Sequence, residues 1–303
     1  MIETRGVALF AYNTDQIDYA KLALLAARYV KRHMKNNNVC LITDQGTWDY
    51  LVDSRSAERA DAAFDDVVIS PVQHTSNKRV HYDSPWTKFV SEFKNSNKHQ
   101  VIDYTPYDKT LLIDIDYIVQ NGSLDYIFDT DAEVALFHDS EDLVGRPPAS
   151  TETWLKPTGI PMLWSTVVYF DKHSATSRMF FDMWAHVYES YDFYKFLYGF
   201  SGNMYRTDFA VSIAAHLMNG MGAGELIDDF NGKLINMSQR DDIAKVNELD
   251  DWVYLVNNRL ENWKDTTTRI KQENVHVMNK RSLERFYSYL SRQLDIEDGI
   301  IEE

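Results

Sequence analysis

The chain has 303 residues, of which 44% are hydrophobic and 13% aromatic, and its formal net charge is −15. The composition excludes a disordered chain, and the charge argues against a general nucleic-acid-binding surface while leaving room for a local basic groove. No apolar run approaches the ~20 residues of a membrane span, MIETRGVALF does not resemble a signal peptide, and the single Cys40 excludes an internal disulfide. We predict a cytoplasmic globular protein, built as one large α/β domain or as a domain with an appended helical part.

The first part of the chain alternates short apolar runs with amphipathic stretches. Residues 6–11 (GVALFA) and 39–43 (VCLIT) predict strands that are buried on both faces, and residues 67–70 predict another strand. Apolar residues fall at helical spacing over 17–34, and a second helix is predicted from Gly46. This alternation predicts a mainly parallel sheet with right-handed crossovers.

The pattern then breaks before it resumes. Residues 74–86 are predicted as a loop and 87–103 as one or two helices, followed by a strand at 110–113. A proline-rich loop is predicted over 140–163, and loops of that length are usually functional or mobile. Further strands are predicted at 134–138, 167–170 and 275–278, and further helices at 174–197, 207–218 and 282–293.

Polar residues directly follow the predicted strands. Tyr12 and Asn13 come after the first strand, Asp44 after the second, and Asp114 and Asp116 after the strand that contains LLI. Ligands bind outside the carboxyl ends of strands in open α/β sheets, so these side chains mark a candidate site. Asn13 and Asp44 equally suit the capping of turns.

The segment LLIDIDYIV places Asp114 and Asp116 two positions apart in an apolar run. Because side chains alternate along a strand, both carboxylates can point the same way, where they repel each other. A retained proton, an intervening basic side chain or a bound cation would relieve that repulsion. The alternative is that the strand ends at Asp114 and both aspartates are solvated turn residues.

The segment YDKTLLIDIDYIVQNGSL resembles the metal-binding segment of nucleotide-sugar-dependent glycosyltransferases of the GT-A fold, most closely the glycogenin and bacterial galactosyltransferase family. GVALFAYNTDQIDYAKLALLAARYV and VCLITD resemble that family's first strands, nucleotide loop and first helix. YRTDFAVS resembles its donor-facing helix, and NVHVMNK its late histidine and lysine segment. The amino-terminal pattern also resembles transferases encoded by tailed phages.

The resemblance implies a GT-A-like α/β fold and a hexosyl- or pentosyltransferase that uses a nucleotide-diphosphate sugar, in the first place a UDP-sugar. It implies Mn²⁺ or Mg²⁺ held by Asp114, Asp116 and His276, since hard oxygen ligands with one imidazole suit these ions. It places Asp208 nearest the reacting sugar carbon and Lys280 on the β-phosphate. The remaining donor-binding positions that it implies are Ala11, Tyr12, Asn13, Asp44, Lys98, Asp114 and Ile115, with Lys88 competing with Lys98 for the phosphate.

The alternative interpretations of single residues are ordinary ones. His276 between two valines suits a satisfied core histidine, Lys280 a surface lysine, and Tyr12 a loop aromatic. Asp208 suits an acid in the first turn of a helix, where the helix dipole favours it. The sequence also departs from the family, which has Asn-Ala-Gly at residues 164–166 and Asp-Gln where Asp208 is followed by phenylalanine. These departures bear on the identity of the sugar and on the stereochemical outcome.

The resemblance further implies a single catalytic domain over 1–303, with a nucleotide-binding part at 1–120, a donor-sugar and acceptor part at 121–280, and a carboxyl-terminal helix with an acidic tail at 281–303. Two other functions compete: a sugar nucleotidyltransferase and a non-catalytic binding or structural protein. The acceptor is open between a hydroxymethylated DNA base, a glycan and a protein. Basic segments at 76–82 and 93–100 favour the DNA base, because together they can line one groove. The charge of −15 and the lack of a basic helix with interleaved aromatic residues in the sequence disfavour it.

Overall fold

The computed structural model describes residues 3–53, 56–71, 77–147, 154–155, 159–200, 204–222, 224, 226–258 and 264–301. Their strands are β1 Arg5–Ala11, β2 Val39–Thr43, β3 Asp66–Ile69, β4 Lys78–Tyr82, β5 Lys88–Glu92, β6 Lys109–Ile113, β7 Tyr117–Ile118, β8 Val134–Phe137, β9 Ser140–Asp142, β10 Trp154–Leu155, β11 Ile160–Pro161, β12 Trp164–Asp171, β13 Asp228–Asp229, β14 Leu234–Met237, β15 Asp242–Glu248, β16 Asp251–Val256, β17 Thr266–Lys271 and β18 Val275–Val277.

The α-helices of these residues are α1 Tyr19–His33, α2 Gln45–Val52, α3 Ala57–Ala63, α4 Val101–Tyr104, α5 Ala175–Glu189, α6 Tyr191–Tyr198, α7 Thr207–Met218 and α8 Lys280–Glu297. Short 3₁₀ turns cover Lys98–Gln100 and Asp125–Asp129. No helix in the described ranges is long and apolar enough to span a membrane.

A seven-stranded sheet forms the centre of the molecule, in the order β13-β8-β12-β6-β1-β2-β3. Only β12 runs antiparallel to its neighbours β6 and β8 among the described strands, and the other pairings are parallel. The strands β1, β2 and β6 are apolar on both faces because helices cover the sheet, as their uninterrupted sequence runs predict. The predicted α/β class with a mainly parallel sheet is therefore confirmed.

A second sheet, in the order β7-β18-β14-β9, positions the candidate site. The strand β7 begins one residue after Asp116, and it pairs antiparallel with β18, which carries His276. The strand β14 pairs parallel with β18 and places Asn236 opposite His276. Val277 N donates to Asp116 O at 2.7 Å, so the backbone ties the aspartate segment directly to the histidine strand.

The predicted loop at 74–86 and the predicted helices at 87–103 are wrong where the structure describes them. Residues 74–76 lie outside the described residues, and β4 and β5 form an antiparallel hairpin. The buried face of this hairpin carries the polar His81 and Ser91, whereas Val80 and Val90 are exposed. The positions of the apolar residues therefore do not identify the buried face of this hairpin. The helical part of 87–103 is reduced to the 3₁₀ turn and the four-residue α4.

Two other predictions need correction. The single helix at 174–197 is two helices, α5 and α6, which meet at Ser190, where the backbone leaves the helical region (φ −106°, ψ 25°). No proline or glycine marks that break. The described part of 140–163 contains the short strands β9, β10 and β11 instead of loop alone. The antiparallel sheet of β15, β16 and β17 was not predicted. The remaining predicted elements are confirmed, with ends that shift by a few residues.

Candidate active site

A cleft of about 610 Å³ opens where the ends of β1 and β6 meet the second sheet and the β4–β5 hairpin. Its lining includes most of the residues that the sequence singled out, and it brings together segments from the whole length of the chain. These predicted residues are Tyr12, Lys98, Asp114, Ile115, Asp116, Asp208, His276 and Lys280.

The two aspartates follow β6 and lie in different surroundings. Asp116 is almost fully buried, with 3% of its surface exposed, whereas the side chain of Asp114 is 21% exposed. Asp114 N donates to Thr166 O at 2.9 Å, which joins the aspartate turn to the first part of β12. Both carboxylates line the cleft. Because Asp116 is buried, the alternative that both aspartates are solvated turn residues is wrong for Asp116.

His276 approaches the aspartates from β18. Its Nδ1 lies 2.9 Å from Asn236 Oδ1 and 3.3 Å from Thr166 Oγ1. Because an amide oxygen can only accept, Nδ1 of the neutral ring carries the proton and Nε2 presents its lone pair. That Nε2 is 3.5 Å from Asp116 Oδ2. A partner that fixes the tautomer in this way is typical of histidines that bind metals.

The ligand atoms of Asp114, Asp116 and His276 lie within 4.8 Å of one another. Two hard carboxylates and one imidazole nitrogen form a donor set that suits Mn²⁺ or Mg²⁺, with coordination positions left for phosphate and water. The donor chemistry and the oriented Nε2 therefore fit a divalent ion.

Each aspartate also contacts a lysine. Lys98 Nζ contacts Asp114 Oδ1, and Lys280 Nζ contacts Asp116 Oδ2. Burial alone would raise the pKa of Asp116, but the charge of Lys280 and the contact with His276 outweigh burial and hold its pKa well below the usual range. Asp116 is therefore an ionised carboxylate at neutral pH. Burial opposes the charge on Lys280, and Asp116 in turn raises the pKa of Lys280.

Asp208 lies in the first turn of α7 and faces the same cleft. Its Oδ1 accepts hydrogen bonds from Ser165 N at 3.0 Å and from Ser165 Oγ at 2.7 Å, and Arg206 Nη2 lies 3.6 Å from Oδ2. Burial raises the pKa of Asp208, but the charge of Arg206 and the hydrogen bonds from Ser165 lower it by more, so its pKa is below the usual value. The contact with Ser165 places residues 164–166, where the sequence departs from the family, inside the site.

Three predicted donor-binding residues are not in the lining of the cleft. Ala11 O accepts from Thr43 Oγ1 at 2.6 Å. Asn13 Oδ1 accepts from Ala20 N at 2.7 Å, and Asp44 caps α2 by accepting from Thr47 N at 2.9 Å. These local contacts match the capping alternative for both polar residues.

The remaining predicted positions differ in exposure. Tyr12 is almost fully buried, and its hydroxyl accepts from Asn97 Nδ2 at 3.3 Å. Ile115 lies between the two aspartates with 5% of its surface exposed. Lys88, the competitor of Lys98, is exposed on β5 and is not in the lining, whereas Lys98 is buried beside Asp114.

Sequence reasoning missed several functional candidates. Asn236 orients His276, Ser238 and Gln239 line the cleft beside it, and Arg240 brings positive charge into the cleft. No local motif marks these residues. Arg79 belongs to the basic segment at 76–82, and both this segment and the one at 93–100 contribute residues to the cleft lining.

No protein-family model matches the sequence, and no curated protein matches it significantly. Among solved structures, the chain is similar to the glycosyltransferase GlyE of Streptococcus pneumoniae TIGR4, with 11% identity and a TM-score of 0.43 over 76% of this chain and 45% of that chain. An active-site mutant of LgtC gives 14% identity and a TM-score of 0.43 over 77% of this chain and 74% of that chain. Mouse xyloside xylosyltransferase 1 gives 11% identity and a TM-score of 0.44 over 74% of this chain and 84% of that chain.

The chain thus spans less than half of the length of GlyE. Similarity at these identities and TM-scores does not establish a common activity, substrate or metal. The resemblance to the glycogenin family and to phage transferases, the division into parts and the roles of the site residues stay predictions.

Proposed function

We propose that the protein is a metal-dependent glycosyltransferase that takes its sugar from a nucleotide-diphosphate donor. The observation that carries this proposal is the convergence of Asp114, Asp116 and His276, whose ligand atoms lie within 4.8 Å of one another in a cleft. Lys98 and Lys280 add two positive charges beside the same carboxylates. Such a set suits a ligand that combines a divalent ion with phosphate oxygens.

The residues of the cleft have separate roles in the proposed reaction. Asp114, Asp116 and His276 would hold the ion, which supplies charge neutralisation for a departing diphosphate. In the proposed complex, Lys280 would turn from Asp116 to the β-phosphate, and Lys98 would turn from Asp114 to the same diphosphate. Asn236 keeps the Nε2 lone pair of His276 directed at Asp116.

The transfer step exchanges two bonds at the sugar. An acceptor hydroxyl oxygen bonds to the anomeric carbon, the bond from that carbon to the β-phosphate oxygen breaks, and the hydroxyl proton is released to solvent. Asp208 is the residue that we place nearest this carbon, because its ionised carboxylate faces the cleft and is held by Ser165. A carboxylate there can stabilise oxocarbenium-like charge. UDP is the nucleotide that we propose in the first place.

Calorimetry with UDP and Mn²⁺ tests the proposal. Wild-type protein should bind UDP only when Mn²⁺ or Mg²⁺ is present. Asp116→Asn, which keeps the shape of the side chain and removes its charge, should abolish the metal-dependent part of this affinity. Asp131→Asn is the matched control, since Asp131 is exposed and lies outside the lining of the cleft.

The outcomes separate the competing functions. Metal-independent UDP binding, or none, would favour a non-catalytic protein that keeps the fold. Unchanged affinity in Asp116→Asn would remove the metal assignment. A nucleotidyltransferase is disfavoured on separate grounds, because the stretch after β1 (YNTDQID) contains neither glycine nor a basic residue to cradle a triphosphate.

A further inference from the structure

Two arginines of the cleft lie over aromatic rings. The guanidinium carbon of Arg79 on β4 lies 4.3 Å from the ring centroid of Phe93, and that of Arg240 lies 5.0 Å from the ring centroid of Tyr82. Both arginines line the cleft. Stacking fixes the plane of a guanidinium and leaves its N–H edge available to a planar or tetrahedral anion.

Neither guanidinium has a carboxylate partner within the described part of the chain. Three other cations of the cleft are matched by carboxylates: Lys98 by Asp114, Lys280 by Asp116, and Arg206 by Asp208. Two more acids of the lining are satisfied by bases beyond it, since Asp142 contacts Arg146 at 2.7 Å and Glu141 contacts Lys233 at 3.4 Å. Lys94 donates to Asn13 O at 2.8 Å. Arg79 and Arg240 are therefore a local positive excess in a chain whose net charge is −15.

The two arginines belong to one wall of the cleft. Tyr82 N donates to Gln239 Oε1 at 3.1 Å, which ties the end of β4 to the turn that carries Arg240. The ring of Tyr82 itself supports Arg240. The contact that holds the hairpin against this turn thus also positions the second guanidinium.

The donor does not account for this excess charge. A divalent ion offsets Asp114 and Asp116, which leaves Lys98 and Lys280 to offset the two charges of a diphosphate. Arg79 and Arg240 then remain, with Lys94 on its neutral carbonyl partner, as three charges that no described carboxylate matches beside a bound donor. Arg79 is half-buried and Arg240 is exposed, and positive charge along the wall of a cleft favours a ligand of opposite sign.

We propose that Arg79 and Arg240 bind a phosphate group of the acceptor, so that the acceptor hydroxyl is held in the cleft by an anion site separate from the donor diphosphate. This inference rests on the proposed function, since it assigns the acceptor of that same site. Phosphate oxygens match the paired N–H groups of arginine, and the aromatic supports reduce the freedom that each side chain loses on binding.

Titration of inorganic phosphate into protein that is saturated with UDP and Mg²⁺ tests the inference. Wild-type protein should bind phosphate under these conditions, and Arg79→Gln/Arg240→Gln should weaken that binding by at least ~10-fold, as expected when charge-assisted hydrogen bonds are removed. The affinity for UDP and Mg²⁺ should stay within about twofold of wild type.

Lys78→Gln/Lys245→Gln is the matched control. It removes the same number of charges from exposed positions on β4 and β15 that lie outside the cleft lining, and it should leave phosphate binding unchanged. Absence of phosphate binding by the UDP-saturated wild type, or equal losses in both double variants, would overturn the inference. So would an equal loss of UDP affinity in the arginine variant, because the arginines would then be donor residues. Failure of UDP and metal to bind at all would instead be a failure of the proposed function.

Two competitors distinguish the sources of the phosphate. Glucose 6-phosphate displaces inorganic phosphate if the site takes a phosphate monoester of a sugar. The dinucleotide thymidylyl-thymidine displaces it if the site takes the phosphodiester of a nucleic-acid strand. The competitor that displaces phosphate from wild type should lose at least ~10-fold in affinity for the arginine variant, and an unchanged affinity would contradict the assignment.

Discussion

Asp116 and Asp295 are both buried carboxylates, with 3% and 2% of their surfaces exposed, yet they are compensated in opposite ways. Asp295 on α8 accepts from Arg59 Nε and Nη2 at 2.8 and 2.6 Å, and Arg28 Nη1 lies 2.9 Å from it. Asp116 faces a cleft, where it contacts the ammonium of Lys280 and the imidazole of His276.

The difference separates a structural carboxylate from an exchangeable one. Rigid guanidinium forks occupy the oxygens of Asp295 and fasten α8 to α1 and α3. Lys280 carries a single mobile charge, and a second carboxylate, that of Asp114, lies within 4.8 Å of the site. Such an arrangement can give up the lysine for a cation without leaving the carboxylate unpaired. Burial of a carboxylate thus does not by itself identify a functional site. The type of basic side chain that contacts it, and whether it faces a cleft, distinguish Asp116 from Asp295.

Asp295→Asn tests whether the Asp295 carboxylate stabilises the fold. The substitution removes the buried carboxylate charge that Arg28 and Arg59 share, so the free energy of unfolding should fall by about 3–5 kcal/mol. Chemical denaturation measures this loss. Asp298→Asn is the control, because Asp298 is 51% exposed and contacts Arg28 alone at 2.6 Å, and its loss should cost less than about 1 kcal/mol. The affinity of folded Asp295→Asn for UDP and Mn²⁺ should match wild type, and a selective loss of that affinity would contradict the comparison.

Asp208→Asn tests whether a second carboxylate of the cleft, that of Asp208, acts in turnover. Asparagine keeps a hydrogen-bond acceptor for Ser165 but loses the charge, so stability and UDP affinity should stay near wild type. Turnover, measured as donor hydrolysis or transfer, should fall by roughly 10²–10³-fold, or about 3–4 kcal/mol of barrier. Asp192→Asn serves as the control, since Asp192 also lies in the first turn of a helix but is exposed. Ordinary turnover with a slightly lower melting temperature would make Asp208 a helix-stabilising residue only.

His276→Ala should lower the affinity for Mn²⁺ in the presence of UDP by ~10–100-fold, while Asp116→Asn abolishes it. The imidazole is one of three ligands, and the two carboxylates remain. Calorimetry of Mn²⁺ into UDP-saturated protein measures the change. If the variant unfolds and its folded fraction binds Mn²⁺ normally, His276 is a core histidine held by Asn236.

A second histidine gives the smallest predicted effect and a contrast to His276. His99 packs against Trp184 and Tyr188, its Nδ1 has no partner among the described residues, and burial lowers its pKa to about 4. In the unfolded chain the pKa is about 6.5, so between these values the unfolded state binds one more proton and stability falls as the pH falls.

His99→Phe should remove this dependence. Near pH 5 the slope of the unfolding free energy should become shallower by about 1.4 kcal/mol per pH unit, with no change above pH ~7. Denaturation series from pH 4 to 8 measure the slopes of both proteins. Equal slopes would mean that His99 is charged in the folded protein.

The local pattern of apolar and polar residues is sufficient to predict the central sheet and to single out Asp114 and Asp116. The strands β1, β2 and β6 each contain an apolar run (GVALFA, VCLI and LLI) because both faces of the sheet are covered. The two aspartates of LLIDIDYIV stand out against that pattern. The same local chemistry allowed two uses for Asn13 and Asp44, and nothing in the sequence chose between a ligand and a cap.

Long-range pairing was beyond local pattern. Asn236 reaches His276 only because β14 pairs with β18 across forty residues of chain, and no spacing in the sequence encodes that register. The β4–β5 hairpin was missed because its valines face outward and its buried positions are polar. The contact of Arg240 with Tyr82 depends on that hairpin, so local pattern does not predict it either.

Anomalous diffraction from crystals grown with UDP and Mn²⁺ tests the central claim most directly, because it locates the ion itself. The account predicts a manganese peak within about 2.5 Å of a carboxylate oxygen of Asp116 and of Nε2 of His276, with Lys280 turned towards the phosphates. A manganese peak at other carboxylates, or UDP in the cleft with no peak between Asp114, Asp116 and His276, would contradict it.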